Sequence, residues 1–573
     1  MKEYIEIINN FLDKKYYKKI IFLYIFIFFN LILEIFSLGL IIPIVGILLN
    51  PEFLNEYLFF KNFLITINPL KYFFNLNEVS NLLGGLCLTF FILILIKNLI
   101  LFLIMNYKTM FIYEITLDIR LNFLSKIIDL PYLTVSKYKI SGLMTYTNNT
   151  AVVAQVLDIL LHTSIELILI FGISIFLLFN SPEAMIMILF IPIILFFFNK
   201  VFINAKLSFY SNEIRVHEKG QVNFLLGILS GMKTIILNDV KSYFLKFFDL
   251  HQKKSEIANF KFQLYSGSIR FFLEVIAAGI IVSIIIFFTL KNSNTEAIIT
   301  TLAIFLAAAV KIMPSLNKVT NTYQTLKYAK ERMIDLNNFY KQNLKEIKNI
   351  NRVNFNKLIK LNNFSFFYEP NNPVIEDSNL EISAGQKILI TGSSGSGKTT
   401  LMNIISGIIQ SDNGKYILDS AEMNSRFKIL NLGYVTQKSF FMPDTILNNI
   451  CFGLLPKNQE KDKVVECLKD SELYDYIQSL PLGLDTKLVH EGEGFSGGQL
   501  QRLALARLLY KNPDLIILDE FSNALDSDNE NKIFNTLFSK YKKKTILIIS
   551  HKKYDKFSFD KKFLIANKKI IEI

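Results

Sequence analysis

The sequence predicts a polytopic α-helical membrane domain of six transmembrane helices followed by an α/β domain. Of the 573 residues, 51% are hydrophobic and only 19% are charged, and the mean hydropathy is +0.35. The apolar residues concentrate before about residue 315, whereas the rest of the chain has the composition of an ordinary globular domain. This uneven distribution excludes both a purely soluble protein and a disordered chain.

Six apolar stretches are long enough to cross a bilayer, which takes roughly 20 residues. In order they are 20–49, 82–105, 159–179, 184–203, 271–290 and 297–316. The first is far longer than a signal-peptide core, so we expect it to remain in the protein. The connection 51–81 is rich in aromatic residues; it suits an interfacial helix on the outer leaflet or a loop packed on the span ends.

The basic residues predict the topology. Residues 1–19, 106–157 and 199–268 are rich in Lys and Arg, whereas the opposite side carries only Lys61, Lys71 and Lys291. Because basic loops stay in the cytoplasm, both termini are expected inside, and helical patterning such as 113–130 extends the spans into the cytosol. Much of the net charge of +13 is therefore a topology signal, and we expect no nucleic-acid partner.

A phosphate-binding motif opens the soluble half, where strand-like and helical runs alternate. The segment 387–400, "KILITGSSGSGKTT", is an apolar strand that leads into the pattern G-x-x-x-x-G-K-[ST] and then a helix. Backbone N–H groups at such a helix start can hold phosphates, so this is a P-loop NTPase domain by prediction. The predicted ATP contacts are Gly392, Ser393, Gly395, Ser396, Gly397, Lys398, Thr399 and Thr400.

A second motif supplies carboxylates. The segment 513–526, "PDLIILDEFSNALD", is an apolar strand that ends in Asp519 and Glu520. Open α/β sheets place their sites at the carboxyl ends of strands, so Asp519 is predicted to bind Mg²⁺ and Glu520 to polarise the attacking water. Alone, an acidic pair after a strand would equally suit a helix N-cap.

Between these motifs, "GEGFSGGQLQR" at 492–502 resembles the signature loop of ATP-binding cassette (ABC) transporters. The resemblance extends in order to Tyr368 as the adenine-stacking aromatic, Gln437 as the glutamine that links the nucleotide site to the membrane domain, and His551 as the switch histidine. It implies a type I ABC exporter-like membrane domain with one cassette, and a catalytic role for Glu520 and His551. The further ATP-binding residues it implies are Tyr368, Gln437, Ser496, Gly497, Gly498, Gln499 and Asp526, and the Mg²⁺ ligands are Thr399, Gln437 and Asp519.

The sequence departs from the ABC pattern at several places. Phe495 and Asn523 replace the usual Leu and Ser, Lys552 follows His551 where Arg is common, and 489–490 replace a usual Gly-Glu pair. None of these departures removes a catalytic group. For Tyr368, packing within its strand is the alternative to stacking on adenine. Since one chain has one phosphate loop and one signature loop, the resemblance implies a homodimer.

Three cations lie at membrane level: Lys97, Arg270 and Lys311. Intramembrane charges suggest function, and these would suit the anionic head group of a substrate. Alternatively, the lysines snorkel to the inner surface and Arg270 pairs with Glu274.

The segments 268–279 and 310–324, with the aromatic outer loop, resemble the bacterial flippase of lipid-linked oligosaccharides, the PglK type. The segments 133–144 and 218–236 resemble the coupling segments of ABC exporters. We therefore predict an ATP-driven flippase or exporter of a polyprenyl-pyrophosphate glycan, used in protein glycosylation, in the bacterial inner membrane with a cytoplasmic cassette. A general exporter of lipids or amphiphilic drugs, and an ATP-switched receptor or channel, are the alternatives. The predicted domains are 1–330 (membrane), 331–350 (linker) and 351–573 (cassette).

Overall fold

The computed structural model describes residues 2–49, 79–138, 140–180, 197–290, 295–344, 350–369, 372–410, 413–423, 426–489, 494–552, 554 and 556–573, and isolated positions between 182 and 194. The chain divides into two compact units. The first comprises Met1–Leu130 and Lys137–Glu346, and the second comprises Pro131–Ser136 and Ile347–Ile573.

The first unit is helical, and several of its helices are much longer than a membrane is thick. They are α1 (Lys2–Phe11), α2 (Tyr16–Gly39), α3 (Ile41–Leu49), α4 (Val79–Ile128), α6 (Ile140–Asn180), α7 (Asn204–Ser230), α8 (Met232–Leu237), α9 (Lys241–Leu290) and α10 (Thr295–Phe339), with π-helical turns at Asn199–Ile203 and Tyr340–Leu344. At 1.5 Å per residue, the 50 residues of α4 extend about 75 Å, against a hydrocarbon core of about 30 Å. Such helices continue well beyond a bilayer, as predicted for 113–130.

The first predicted span is interrupted once. Its helix ends at Gly39 and resumes at Ile41, so Leu40 lies between two helices. Pro43 explains the break, because its ring clashes with the carbonyl of the residue four positions earlier, which is Gly39.

Among the residues that the structure describes, five helical segments are long and apolar enough to cross a membrane: Tyr16–Leu49, Leu83–Ile128, Gly142–Phe179, Lys241–Phe287 and Leu302–Leu344. They contain most of the first, second, third, fifth and sixth predicted spans. The fourth, 184–203, lies outside the described residues over about half its length, and the outer loop 51–81 lies outside them except for 79–81. The start of the predicted linker, at 331, lies inside α10, which runs on to Phe339.

The second unit contains two main sheets and a short parallel pair. A six-stranded sheet has the order β12 (Lys569–Glu572), β11 (Lys561–Ala566), β4 (Lys387–Gly392), β10 (Thr545–Ile549), β9 (Leu515–Asp519), β8 (Leu432–Val435), and all its strands are parallel except β12. An antiparallel sheet has the order β3 (Asn372–Ser383), β2 (Leu358–Glu369), β5 (Asn413–Leu418), β6 (Ala421–Glu422), and β1 (Asn351–Val353) pairs with β7 (Phe427–Ile429). The helices of this unit are α5 (Tyr132–Lys137), α11 (Lys398–Ile405), α12 (Ile446–Ile450), α13 (Lys461–Asp470), α14 (Tyr474–Ser479), α15 (Gly497–Lys511) and α16 (Ser527–Ser539).

The central parallel sheet is covered on both faces, as parallel sheets usually are. Along β9, Ile516 and Leu518 pack with the helical cluster that includes α13 and α15, whereas Leu515 and Ile517 pack with the antiparallel sheet and α11. Side chains of a strand alternate between faces, so each strand contributes to two cores. All five residues of β9 are buried, which fixes the position of Asp519 at its end.

Candidate nucleotide site and membrane-level charges

The predicted nucleotide residues meet at one edge of the six-stranded sheet. The phosphate loop follows β4, Asp519 and Glu520 end β9, and His551 follows β10. These three strands are neighbours and parallel, so their carboxyl ends lie side by side. Motifs that are far apart in sequence thereby form one site at the place where α/β sheets bind ligands.

The phosphate loop has a backbone that needs glycine. Gly392, Gly395 and Gly397 all have positive φ, and Gly397, at +103°, precedes α11. A Cβ at Gly397 would lie 3.0 Å from Val374 Cγ1, so the space there is also limited. The loop thus brings backbone amides to the start of α11, where an anion is stabilised.

Three features of this loop fit a phosphate group. The Lys398 side chain is buried, and its Nζ donates to the carbonyls of Gly392 (2.9 Å) and Ser393 (2.8 Å). Burial lowers the pKa of Lys398, so an anion beside it would favour the charged form. Within the described part of the chain, the buried Ser396 Oγ has no hydrogen-bond partner. A phosphate would supply the acceptors that these donors require.

The metal side of the site is formed by Asp519 and Thr399. Thr399 Oγ1 donates to Asp519 Oδ2 at 3.0 Å, and the Tyr434 hydroxyl donates to the same oxygen at 3.2 Å. Asp519 is only 2% exposed, and burial raises its pKa. A buried carboxylate beside a hydroxyl, together with phosphate oxygens, is the oxygen ligand set that Mg²⁺ prefers, so these residues fit the ion.

Glu520 is held by three side chains. Its Oε2 accepts hydrogen bonds from Gln437 Nε2 (2.7 Å) and Asn523 Nδ2 (3.0 Å), and its Oε1 lies 2.9 Å from His551 Nε2. The backbone of Glu520 is left-handed, with φ at +50°, and its N–H donates to the Ile549 carbonyl. A strained backbone that is held in place in this way is typical of functional positions.

The remaining predicted ATP contacts lie on three separate elements. Tyr368, at the end of β2, is 53% exposed, and its hydroxyl lies 3.2 Å from Thr400 Oγ1. The exposed ring is available for stacking, as predicted for adenine, and it also makes edge contact with Phe366. Asp526 caps α16 by accepting from the Asn529 backbone N–H at 3.1 Å.

The signature loop forms the start of α15. Ser496 and Gln499 form a reciprocal capping box, in which each side chain accepts a hydrogen bond from the backbone N–H of the other. Gly498 lies so close to the loop after Glu520 that an added Cβ would be 2.6 Å from the Ala524 carbonyl oxygen. At Gly497 the nearest atom to an added Cβ would be 3.4 Å away.

The departures from the ABC pattern have structural partners. Phe495 packs against the helical core, with its ring 5.6 Å from that of Tyr476. Asn523 donates to Glu520, and Lys552 Nζ lies 2.9 Å from Glu530 Oε2. Val489 is exposed, and position 490 lies outside the described residues.

At membrane level, two of the predicted substrate cations share one carboxylate. Lys97 Nζ lies 2.7 Å from Glu34 Oε2, and Lys311 Nζ lies 3.1 Å from Glu34 Oε1. Arg270 is not part of this group: its side chain is 74% exposed and pairs with Glu274 at 3.3 Å, the alternative that the spacing allowed. The structure therefore brings Lys97 and Lys311 together through Glu34.

The first predicted coupling segment, 133–144, is divided between the two units. Residues 133–136 group with the second unit, where Leu133 packs against the core of β2, β4 and α11, and the segment from Lys137 onward groups with the first. The segment 218–236 forms the end of α7 and most of α8 in the first unit.

Sequence reasoning missed three residues that the structure places in these sites: Tyr434, Asn523 as a partner of Glu520, and Glu34 as the shared counter-ion. A signal existed for each. Tyr434 lies three residues before Gln437, Asn523 lies three residues after Glu520, and Glu34 is the only charged residue of its span.

Comparison with known proteins relates the second unit to ABC transporters. The ABC transporter family profile matches residues 375–523. An ATP-dependent lipid A-core flippase of Wigglesworthia glossinidia brevipalpis is 26% identical over 471 residues, which is 80% of each chain. Proteins of the same name from Pseudomonas fluorescens and Francisella novicida are 38% and 32% identical, over 34% and 45% of their lengths.

A solved structure shows the same fold. A bacterial Atm1-family ABC exporter with ATP bound superposes with a TM-score of 0.81 over 97% of this chain and 95% of the other, at 16% identity. The predicted fold class is therefore confirmed. The chain joins a helical domain with the fold of an ABC exporter to an ATPase domain that the ABC transporter profile matches over 375–523, and it is an ATP hydrolase coupled to transport.

Proposed function

We propose that the chain works as a homodimer in the bacterial inner membrane and moves an anionic glycolipid from the cytoplasmic side outward. The observation that carries the substrate class is the group formed by Glu34, Lys97 and Lys311. It places two ammonium groups against one carboxylate among membrane-spanning helices. Charged groups in such helices are costly and mark substrate pathways, and cations there suit a phosphorylated head group.

The residues at the nucleotide site suggest how the energy is supplied. We propose that the phosphate loop and Lys398 bind the ATP phosphates, while Thr399, Gln437 and Asp519 hold Mg²⁺, which neutralises phosphate charge when bound. Glu520 then polarises the attacking water, and its three partners keep the carboxylate oriented. His551 Nε2 contacts Glu520 Oε1, so the two side chains can form a hydrogen bond or transfer a proton.

The dimer follows from the distribution of the motifs. The chain has one phosphate loop before α11 and one signature loop before α15. In the ABC transporters that it resembles, ATP is bound between the phosphate loop of one cassette and the signature loop of another. Two copies would therefore complete two equivalent ATP sites.

Two substrates fit the proposal. A polyprenyl-pyrophosphate oligosaccharide is suggested by the PglK-type resemblance, and a lipid A-core molecule is suggested by the names of the relatives. General export of lipids fits the same geometry. We place the glycolipid first because the group of Glu34, Lys97 and Lys311 has one more positive than negative charge.

The test is ATP turnover in proteoliposomes with each glycolipid added in turn. We expect an anionic glycolipid to raise turnover, and we expect Lys311→Gln to reduce that stimulation while leaving basal turnover intact. Equal stimulation by neutral amphiphiles would favour the general exporter. Nucleotide binding without turnover would indicate an ATP-switched receptor or channel and would overturn the proposal.

A further inference from the structure

Glu34 lies between two cations in the first unit and is nearly inaccessible. Its side chain is 3% exposed and that of Lys97 is 5% exposed, whereas the side chain of Lys311 is 39% exposed. The three residues come from different helices, α2, α4 and α10. One carboxylate thus faces two ammonium groups, which leaves one positive charge without a counter-ion in this group.

The two ion pairs differ in quality. Lys97 and Glu34 are 2.7 Å apart and both buried, so they form a tight pair. Lys311 Nζ lies 3.1 Å from Glu34 Oε1, yet that oxygen has no hydrogen-bond partner in the described part of the chain. Lys311 therefore pairs with Glu34 less closely than Lys97 does, and its partly exposed ammonium has N–H donors left for another anion.

Other ion pairs on the same helices are balanced. Lys318 pairs with Glu166 at 2.7 Å, and Lys108 pairs with Asp158 at 2.8 Å. Glu166 also accepts a hydrogen bond from Ser315 at 2.6 Å, so its carboxylate is satisfied. Each of these two pairs thus matches one cation with one carboxylate, whereas the Glu34 group holds one cation more than it has carboxylates.

We propose that Glu34 is an internal counter-ion that determines which head-group charge the lysines prefer to bind. By neutralising one lysine permanently, it leaves Lys311 to accept one negative charge at a time. The group would therefore hold a singly charged phosphodiester as well as a doubly charged phosphate. Without Glu34 both lysines would face the ligand, and dianions would be preferred because the attraction grows with the product of the charges.

This inference rests on the proposed function, because it concerns the same anionic head group. It adds a residue that binds no substrate itself and acts through Lys97 and Lys311. Glu34 is thus a specificity-determining residue whose removal should change which anion binds.

The experiment uses the full-length protein in nanodiscs of phosphatidylcholine with equal amounts of phosphatidate and phosphatidylglycerol. At about pH 8.5 the phosphate monoester of phosphatidate carries close to two charges, whereas the phosphodiester of phosphatidylglycerol carries one. Native mass spectrometry then counts the lipids that the protein retains. The readout is the ratio of bound phosphatidate to bound phosphatidylglycerol, which a merely structural role of Glu34 would not change in a charge-dependent way.

Four variants separate charge from residue identity. Glu34→Gln should raise the ratio about tenfold over wild type, corresponding to about 1.4 kcal/mol. The double variant Glu34→Gln with Lys97→Gln restores a single excess charge, so its ratio should return to within about twofold of wild type. Lys311→Gln should lose most of the bound anionic lipid. The double variant Glu166→Gln with Lys318→Gln is the matched control, because it removes a carboxylate outside the group together with its cation and should leave the ratio unchanged.

The outcomes are distinguishable. Retention of both lipids with the same ratio in Glu34→Gln and wild type would overturn this inference and leave the proposed function standing. No anionic lipid retained by any variant would overturn both. If Glu34→Gln cannot be purified, the lipids bound by the double variant at Glu34 and Lys97 and by Lys311→Gln test the inference instead. An unchanged amount of bound lipid in Lys311→Gln, or a raised ratio in that double variant, would contradict the role given to the excess charge.

Discussion

Replacing Asn523 by Ala tests how Glu520, the carboxylate that we propose to be catalytic, is held. Asn523 Nδ2 donates to Glu520 Oε2 at 3.0 Å, and Gln437 donates to the same oxygen. The substitution removes one of two hydrogen bonds to that oxygen and leaves the other in place. Because the residue itself is exposed, we take the lower end of the range for a hydrogen bond to a charged group, about 1.5 kcal/mol.

If that hydrogen bond acts in the transition state, the loss corresponds to about a tenfold fall in kcat for ATP hydrolysis. The KM for ATP should change by less than about twofold, because Asn523 lies outside the phosphate loop. The assay is phosphate release by the purified protein in nanodiscs across ATP concentrations. Asn523→Asp should lower kcat further, since it puts a like charge beside Glu520.

The matched control is Asn356→Ala. Asn356 Nδ2 also donates to a carboxylate, that of Asp419, at 3.1 Å, but at the start of β2, away from the carboxyl ends of β4, β9 and β10. We expect its kcat to equal that of wild type. A kcat for Asn523→Ala within about twofold of wild type would refute the idea that this hydrogen bond orients Glu520 for catalysis.

Three further predictions concern the cassette. Gly498→Ala would put a Cβ 2.6 Å from the Ala524 carbonyl oxygen, so we expect the variant to lose about 2 kcal/mol of stability and its Tm to fall by about 5 °C. Gly497→Ala has room for the added Cβ and should unfold at the temperature of the wild type. Equal Tm values for the two variants would contradict this prediction. Burial raises the pKa of Asp519 above its ordinary value, and the carboxyl must lose its proton to bind metal. Mg²⁺ affinity measured by calorimetry should therefore weaken as pH falls towards that pKa, and the same pH dependence in Asp519→Asn would contradict the assignment. Burial lowers the pKa of Arg507 to about 10, and its guanidinium donates to three acceptors. Arg507→Met should therefore cost about 3 kcal/mol, seen as a Tm lower by about 8 °C, and a shift below about 2 °C would refute that role.

The strands and loops that carry the candidate nucleotide site could be predicted from short sequence motifs. The strand-to-loop-to-helix pattern at 387–405 and the strand that ends at Asp519 both occur as predicted. Parallel neighbours place these ends together, so local patterns were enough to assemble the site. The partner role of Asn523 was not predicted, because it depends on the left-handed turn at Glu520.

The membrane-level group was harder to predict, because it depends on which helix faces pack together. Glu34, Lys97 and Lys311 lie on three helices that are far apart in the sequence, and hydrophobic periodicity does not specify their contacts. Arg270 is different, because it pairs with Glu274 within its own helix, and the i,i+4 spacing had already offered that alternative. The break at Leu40 was readable from Pro43, but only once a helix across that position was established.

The central claim, that hydrolysis by this cassette drives movement of an anionic glycolipid, is tested most directly by one paired measurement. Phosphate release and the appearance of the glycolipid in the opposite leaflet are followed together in proteoliposomes, for wild type and for Glu520→Gln. We predict that the wild type shows both activities and that Glu520→Gln loses both while still binding ATP. Continued ATP turnover by Glu520→Gln, or glycolipid movement at the wild-type rate without turnover, would contradict the account.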